Sequence, residues 1–291
     1  MNQRKKTITK PSIKDLLKKD FNLDVDISGG FGQSREDPIL VLSKTESEAL
    51  RNELLVVRSL ISGANLEGQR TLLWRSIGIN LIEGPSPNII QHKIETKEIL
   101  KDEIITEKRN FYFSRKNLEI SPSHILQGQV IAYEDQKINM HFPDGLGWLH
   151  YKSMKDFGPE KPELGYSLAY SAAGIKATIY VYPFRDQQKS LSSILKTEME
   201  NSRRDIVHYY GEEAIEDDWD VQQLDDNLMY CFMYNEETSF KAVGCYPSLS
   251  WLTISGKNDY YIKMRSSHFD EPLMREIGHD LVNSLFSLIR S

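Results

Sequence analysis

The side chains in this sequence that could do chemistry fail, one group after another, to fall into a catalytic pattern. Seven histidines (His92, His124, His141, His150, His208, His268 and His279) are spread along the chain. None stands in an HxH, HExxH or mixed Cys/His cluster at the spacing a zinc site requires. His268 and His279 lie close in sequence to Asp270 and Asp280, but Asp270 reads as the cap of a following helix. Gly165-Tyr166-Ser167-Leu168-Ala169 resembles a hydrolase nucleophile elbow with alanine in its last place. That elbow needs a sharp strand-to-helix turn, whereas Ser167 sits in an alternating, strand-like run. Asp218-x-Asp220-x-Gln222 opens like a calcium loop, yet Gln223 replaces its glycine and Met229 its bidentate glutamate. Ser28-Gly29-Gly30-Phe31-Gly32 follows a strand-like segment, but a second strand at Ile39–Leu42 comes next. A phosphate loop would need a helix N-terminus there. These glycines read as a tight hairpin turn with positive φ. No catalytic residue, cofactor or metal is expected.

What remains is aromatic and acidic. Trp148 and the tyrosines at 166, 170, 180, 182, 209, 210, 230 and 234 crowd the C-terminal half. Such side chains pair a large apolar area with a polar tip, which suits an interface and sheet–helix packing alike. Residues 212–226 hold eight carboxylates and no base, which reads as a solvated loop or a docking surface for a basic partner. Trp148, Tyr166, Tyr170, Tyr180, Tyr182, Asp217, Asp218 and Asp220 are therefore the candidate binding surface. A second reading is a small-molecule pocket between the C-terminal sheet and the domain interface, with Tyr180, Tyr182, His208 and Asp144 as its first polar residues.

These residues need elements to position them. The chain has 291 residues, 40% hydrophobic and 27% charged, the balance of a soluble globular protein with room for two domains. Its net charge of −6 is unevenly spread. Residues 1–122 carry 20 Lys/Arg against 17 Asp/Glu, and residues 123–291 carry 16 against 25. An acidic C-terminal half argues against a groove that tracks nucleic-acid phosphates. Cys231 and Cys245 lie in apolar, strand-like surroundings, as small buried side chains or as a disulfide. The start of the sequence has no uninterrupted apolar run, and no stretch approaches about 18 apolar residues. A cytoplasmic protein with no membrane span is expected.

Residues 1–20 form a basic arm in which Ser12 and Asp15 make a capping box. Residues 21–118 read as a small domain of order ββαβββ. Its helix starts at the capping box Thr45–Glu48, carries the stripe Leu50, Leu54, Val57 and Ile61, and stops at Gly63. Its last strands are Thr71–Ile82, Ile89–Ile94 and Asn110–Arg115. Residues 117–124 are the linker candidate. Residues 125–291 read as a larger domain, with strands near 128–133 and 137–142, a loop over 152–163, and the hairpin Leu164–Tyr182 turning at Gly174. A helix from Ser190 to Gly211 follows, then strands at 228–235, 240–246, 249–255 and 260–265. A last helix carries Leu273, Ile277, Leu281, Leu285 and Leu288. The fold class is α+β, each domain a mainly antiparallel sheet packed with one or two helices.

The run His141-Phe142-Pro143-x-x-Leu146-Gly147-x-Leu149, then Pro162-x-Leu164-Gly165-Tyr166-Ser167-Leu168-x-Tyr170, then Gly174-x-Lys176-Ala177-Thr178-Ile179-Tyr180-Val181-Tyr182 resembles a domain of uncharacterised bacterial proteins. The resemblance covers roughly residues 128–290 and implies no activity. The element order is also similar to the fold of the extrinsic photosystem II protein PsbP, an analogy of fold alone. The expected function is a non-catalytic protein-binding protein, an adaptor or an immunity-type inhibitor. The small-molecule sensor or enzyme is the alternative. Opposite charges further predict that the basic arm or first domain rests near residues 212–226.

Overall fold

The computed structural model describes residues 12–22, 24–63, 72–82, 89–100, 103–115, 125–126, 129–185, 188–210, 215–217, 230–235, 248–269 and 272–291. Several expectations fall outside these: arm residues 1–11, the linker at 117–124, the strand at 240–246, Asp218–Asp226, Cys245 and the cap Asp270. The architecture is α+β, with mostly antiparallel sheets packed against helices. Contacts divide the chain into two compact units, residues 1–130 and 131–291. No helix among the described residues is long and apolar enough to cross a membrane.

The first unit opens with α1 (Ile13–Phe21), started by the Ser12–Asp15 capping box and closed by Asn22 in the left-handed region. The same Ser12 hydrogen bonds hold the Asp15 carboxyl below its usual range. β1 (Ile27–Gly29) and β2 (Ile39–Val41) pair antiparallel. Gly29 at the end of β1 and Gly32 have the positive φ predicted, but residues 30–38 form a longer connection than the tight turn expected. α2 (Glu46–Gly63) starts at Thr45, whose Oγ1 accepts from Glu48 N at 3.2 Å. The Glu48 carboxylate returns to Lys44 N at 3.1 Å. The helix runs through Gly63 instead of stopping before it.

β3 (Leu72–Ile82), β4 (Ile89–Leu100) and β5 (Glu103–Arg115) complete a sheet of order β1-β2-β5-β4-β3, antiparallel except where β2 joins β5. β4 and β5 are about twice the length predicted, because charge masks the strand pattern beyond Ile94 and before Asn110. Glu95 pairs Lys108 across the ladder, and Arg75 Nη2 reaches Glu95 Oε2 at 2.7 Å. Opposite charges facing across strands stabilise such an exposed ladder. Ile13, Leu17, Val56, Val57, Ile61, Trp74, Ile94 and Phe113 lie in one core between α1, α2 and the sheet.

β6 (Ile125–Leu126) pairs the start of β7 (Gln129–Asp135), and β7 pairs β8 (Met140–Pro143). Next come β9 (Gly145–Leu146), β10 (Leu149–Asp156), β11 (Tyr166–Ala172), β12 (Ile175–Pro183) and α3 (Leu191–Tyr210). β13 (Ile215–Asp217), β14 (Tyr230–Asn235), β15 (Ser248–Lys257), β16 (Tyr260–Phe269) and α4 (Pro272–Arg290) follow. The sheet runs β13-β14-β15-β16-β12-β11-β10-β9, all neighbours antiparallel. The expected central hairpin is β11–β12, with Ala172 opposite Ile175.

The loop predicted over 152–163 is a correction, since β10 continues to Asp156. Past His150 it pairs only β11, so its exposed side chains show no apolar alternation. β12 and β16 alternate strictly. Ile179, Val181, Ile262 and Met264 are buried on one face, where α4 packs on β15 and β16. Tyr180, Tyr182, Tyr261, Lys263 and Arg265 fall on the other, in register as Tyr182↔Tyr261, Tyr180↔Lys263 and Thr178↔Arg265.

Candidate functional site

α3 leaves the sheet partly uncovered. It starts at Ser190, whose Oγ accepts from Ser193 N at 3.4 Å. Its first turns are apolar, and Ile194, Leu195 and Met199 pack on Tyr182, Leu252, Ile254 and Tyr261. Helical spacing then puts Glu198, Ser202 and Asp205 on the stripe that leads toward the sheet. Where the stripe turns polar the helix no longer seals the sheet, and a cleft of about 940 Å³ opens. Its floor is Tyr180, Tyr182, Leu252, Lys263 and Arg265 of the sheet. Its wall is Glu198, Asn201, Ser202, Arg204, Asp205 and His208 of α3, and its rim Phe157, Glu163, Leu164 and Arg185. The rim loop is set by Gly165, whose φ is +58° and where a Cβ would stand 2.0 Å from Val181 O. Only glycine fits there.

One carboxylate organises the bottom of the cleft. Glu198 Oε1 accepts from Tyr182 Oη at 2.6 Å, Ser202 Oγ at 3.3 Å and Lys263 Nζ at 3.3 Å. The Lys263 ammonium stands over the rings of Tyr182 and Tyr180, 5.1 and 5.8 Å from their centroids. Burial, followed by the Glu198 charge and its hydrogen bond, pushes the Tyr182 hydroxyl far above its usual pKa. Tyr182 is thus held as a hydrogen-bond donor to Glu198.

The candidate residues separate cleanly. Tyr180, Tyr182 and His208 line the cleft together. Asp144 does not: it lies in the β8–β9 turn, its Oδ2 3.8 Å from His150 Nδ1. Of the aromatic surface, Trp148, Tyr166, Tyr170 and Tyr182 are buried and present no exposed patch. Trp148 Nε1 donates to Asp280 Oδ2 at 3.0 Å, and Tyr170 Oη to Pro143 O at 2.9 Å. Tyr166 packs on Tyr133, with ring centroids 5.2 Å apart. Interior positions demanded large rings here; the polar tips of Trp148, Tyr170 and Tyr182 find partners inside, whereas Tyr166 Oη is buried without a hydrogen-bond partner among the described residues. Ser167, the elbow candidate, is a buried residue of β11. Asp217 lies in β13, opposite Met233 of β14. Asp218 and Asp220 lie outside the described residues.

Sequence reading missed Glu198, Ser202 and Lys263, and with them a second charged network in the first unit. There Glu53 of α2 is fully buried, and its Oε1 accepts from Arg115 Nε at 2.7 Å. Its Oε2 accepts from Arg115 Nη2 at 3.1 Å and His92 Nε2 at 2.8 Å. The His92 ring meets Phe113 edge-on at 5.2 Å. Burial works to raise the Glu53 pKa, but the hydrogen bonds and charges of His92 and Arg115 outweigh it and leave the pKa lowered. The side chains of Glu53, His92 and Arg115 are 0, 0 and 1% exposed, so a substrate has no route to them.

Among the described residues no group of three or more His, Cys, Asp and Glu could hold a metal ion. No known family model matches the sequence, and no curated protein compared with it matches either.

Proposed function

We propose that the C-terminal unit is a small-molecule-binding module whose ligand occupies the cleft between α3 and the sheet. The observation that carries this reading is the cleft itself. At about 940 Å³ it falls within the ~300–1,000 Å³ of ligand sites. Its lining sets apolar faces (Phe157, Leu164, Leu252 and two tyrosine rings) against polar groups held by Glu198. The protein-binding reading loses the aromatic surface that motivated it, since four of its five rings are buried. The Ser202 hydroxyl donates to Glu198 and accepts from Lys263 as part of the same network, and binding is the activity we assign to the cleft.

The uncharged fluorophore phenylnaphthylamine tests the proposal. Its fluorescence should rise saturably on titration with the full chain. Leu164→Trp fills the rim from a residue already 41% exposed and should cost about tenfold or more in affinity. Leu81→Trp, at an exposed position in the first unit, should change nothing. Absence of saturable binding, or unaltered binding by the Leu164 variant with circular dichroism preserved, would overturn the reading.

A further inference from the structure

We infer that the ligand of this cleft is an anion with a flat, apolar body: a small aromatic carboxylate or phosphate. The inference rests on the cleft being a ligand site and adds the ligand's chemical class.

The first observation is charge out of place. Residues 123–291 carry nine more acids than bases, yet among the described residues the cleft is lined by four cations (Arg185, Arg204, Lys263, Arg265) against three carboxylates (Glu163, Glu198, Asp205). Glu198 is turned inward, its Oε1 shared by Tyr182, Ser202 and Lys263.

The second observation is the floor. Strand alternation and register put Lys155 opposite Ser167, Lys176 opposite Ser267, Lys263 opposite Tyr180 and Arg265 opposite Thr178. All four cations therefore share the cleft face of the sheet. Across β10, β11, β12, β16 and β15 that face bears no carboxylate. Lys155 Nζ stands 4.9 Å from the ring centroid of Phe157, itself a lining residue.

The third observation is the rings. Phe157 and Tyr180 offer apolar surface beside those cations, and the buried Tyr182 ring lies beneath the Lys263 ammonium. A planar body can lie against the rings while its anionic head reaches Arg265 and Lys263. Guanidinium groups suit carboxylate and phosphate oxygens because their donors form a planar fork. The low-dielectric walls of a concave site strengthen the attraction beyond its value on an open surface.

The test pairs two probes of one ring system: anionic anilinonaphthalene sulfonate and uncharged phenylnaphthylamine. The anion should bind about tenfold more tightly at low salt. That advantage should shrink at about 0.5 M salt, as exposed charges are screened. Arg265→Gln and Arg204→Gln should each weaken the anion several-fold more than the uncharged probe, whose retained saturable binding also reports that the cleft is folded. Naphthoate and naphthyl phosphate should both displace the anionic probe, and the one acting at lower concentration identifies the head group. If the uncharged probe binds and the anion binds no better, the anion inference falls while the ligand site stands. If neither binds, the ligand site itself falls. An oligonucleotide that displaces the probe at lower concentration than naphthyl phosphate would overturn the small-ligand inference in favour of single-stranded nucleic acid on the same cations.

Discussion

Glu53 and Glu198 occupy equivalent places in different parts of the molecule. Each stands eight residues beyond the N-cap of its helix, Thr45 for α2 and Ser190 for α3. Each turns toward a mainly antiparallel sheet and takes hydrogen bonds from a cation on it, Arg115 or Lys263. They differ in what surrounds them. Glu53 is sealed by Val56, Val57 and Phe113 in a continuous core. Glu198 lies where the apolar stripe of its helix gives out, and its partner Lys263 is 21% exposed. The same device is a structural clamp where packing closes over it and the base of a binding site where packing stops. Burial, more than residue type, decides between the two.

The largest expected effect lies at the sealed network. Glu53→Ala leaves a buried guanidinium and imidazole without their carboxylate, a loss of about 3–5 kcal/mol. Hydrogen exchange of peptides from β4 and β5 measures it locally. A loss below about 1 kcal/mol would mean the network is solvated in solution. The lowered Glu53 pKa also fixes a pH window. A carboxyl whose folded pKa is depressed contributes fully above its unfolded value, about 4.3. That contribution is lost as pH falls from there through the folded value. Protection of β4 and β5 should therefore fall below about pH 4.3 in the wild type. The Glu53→Gln variant should be less protected at neutrality and flatter across the acid window. An equally steep acid loss in both would assign it to other carboxylates.

The corresponding change in the cleft should be milder. Glu198→Gln removes a charge, but Lys263 can turn to water, so about 1–3 kcal/mol is expected from exchange in α3 and β12. Tyr182→Phe deletes one of three donors to Glu198 and should cost about 1–2 kcal/mol. Effects as large as that of Glu53→Ala would erase the distinction between clamp and open site.

Much of the scaffold was legible because its faces alternate cleanly. The central hairpin, the stripe of α4, the capping box of α1 and the Thr45 cap of α2 follow from spacing and side-chain type. Spacing shows only half of β4 and β5 and reads most of β10 as loop, because exposed ladders carry charge, which has no apolar period. The site was less legible. Tyr180, Tyr182 and His208 could be grouped by sequence, but Lys263 and Arg265 come from a strand about 80 residues further on, and only register unites them. Glu53 did leave a signal. It lies three residues after Leu50 and three before Val56, on the apolar stripe of α2, where a carboxylate implies a buried partner. Net charge misled, since an acidic half conceals a cationic sheet face.

The smallest expected effects concern the two helix starts. Thr45 accepts from Glu48 N at 3.2 Å, and the Glu48 carboxylate accepts from Lys44 N at 3.1 Å. Ser190 makes one longer contact, 3.4 Å, to Ser193 N. Loss of a cap costs about 0.5–2 kcal/mol. Thr45→Ala should thus cost about 1 kcal/mol, and Ser190→Ala about 0.5 kcal/mol. Neither should displace the carboxylate two turns on, because fraying is confined to the first turn and Ile194, Leu195 and Met199 anchor α3 beyond it. Phenylnaphthylamine affinity should therefore stay within about twofold in Ser190→Ala, as the loss is confined to a cap. A tenfold weakening would show that the first turn of α3 sets the cleft, and that the position of Glu198 depends on the helix start as well as on its sheet partners.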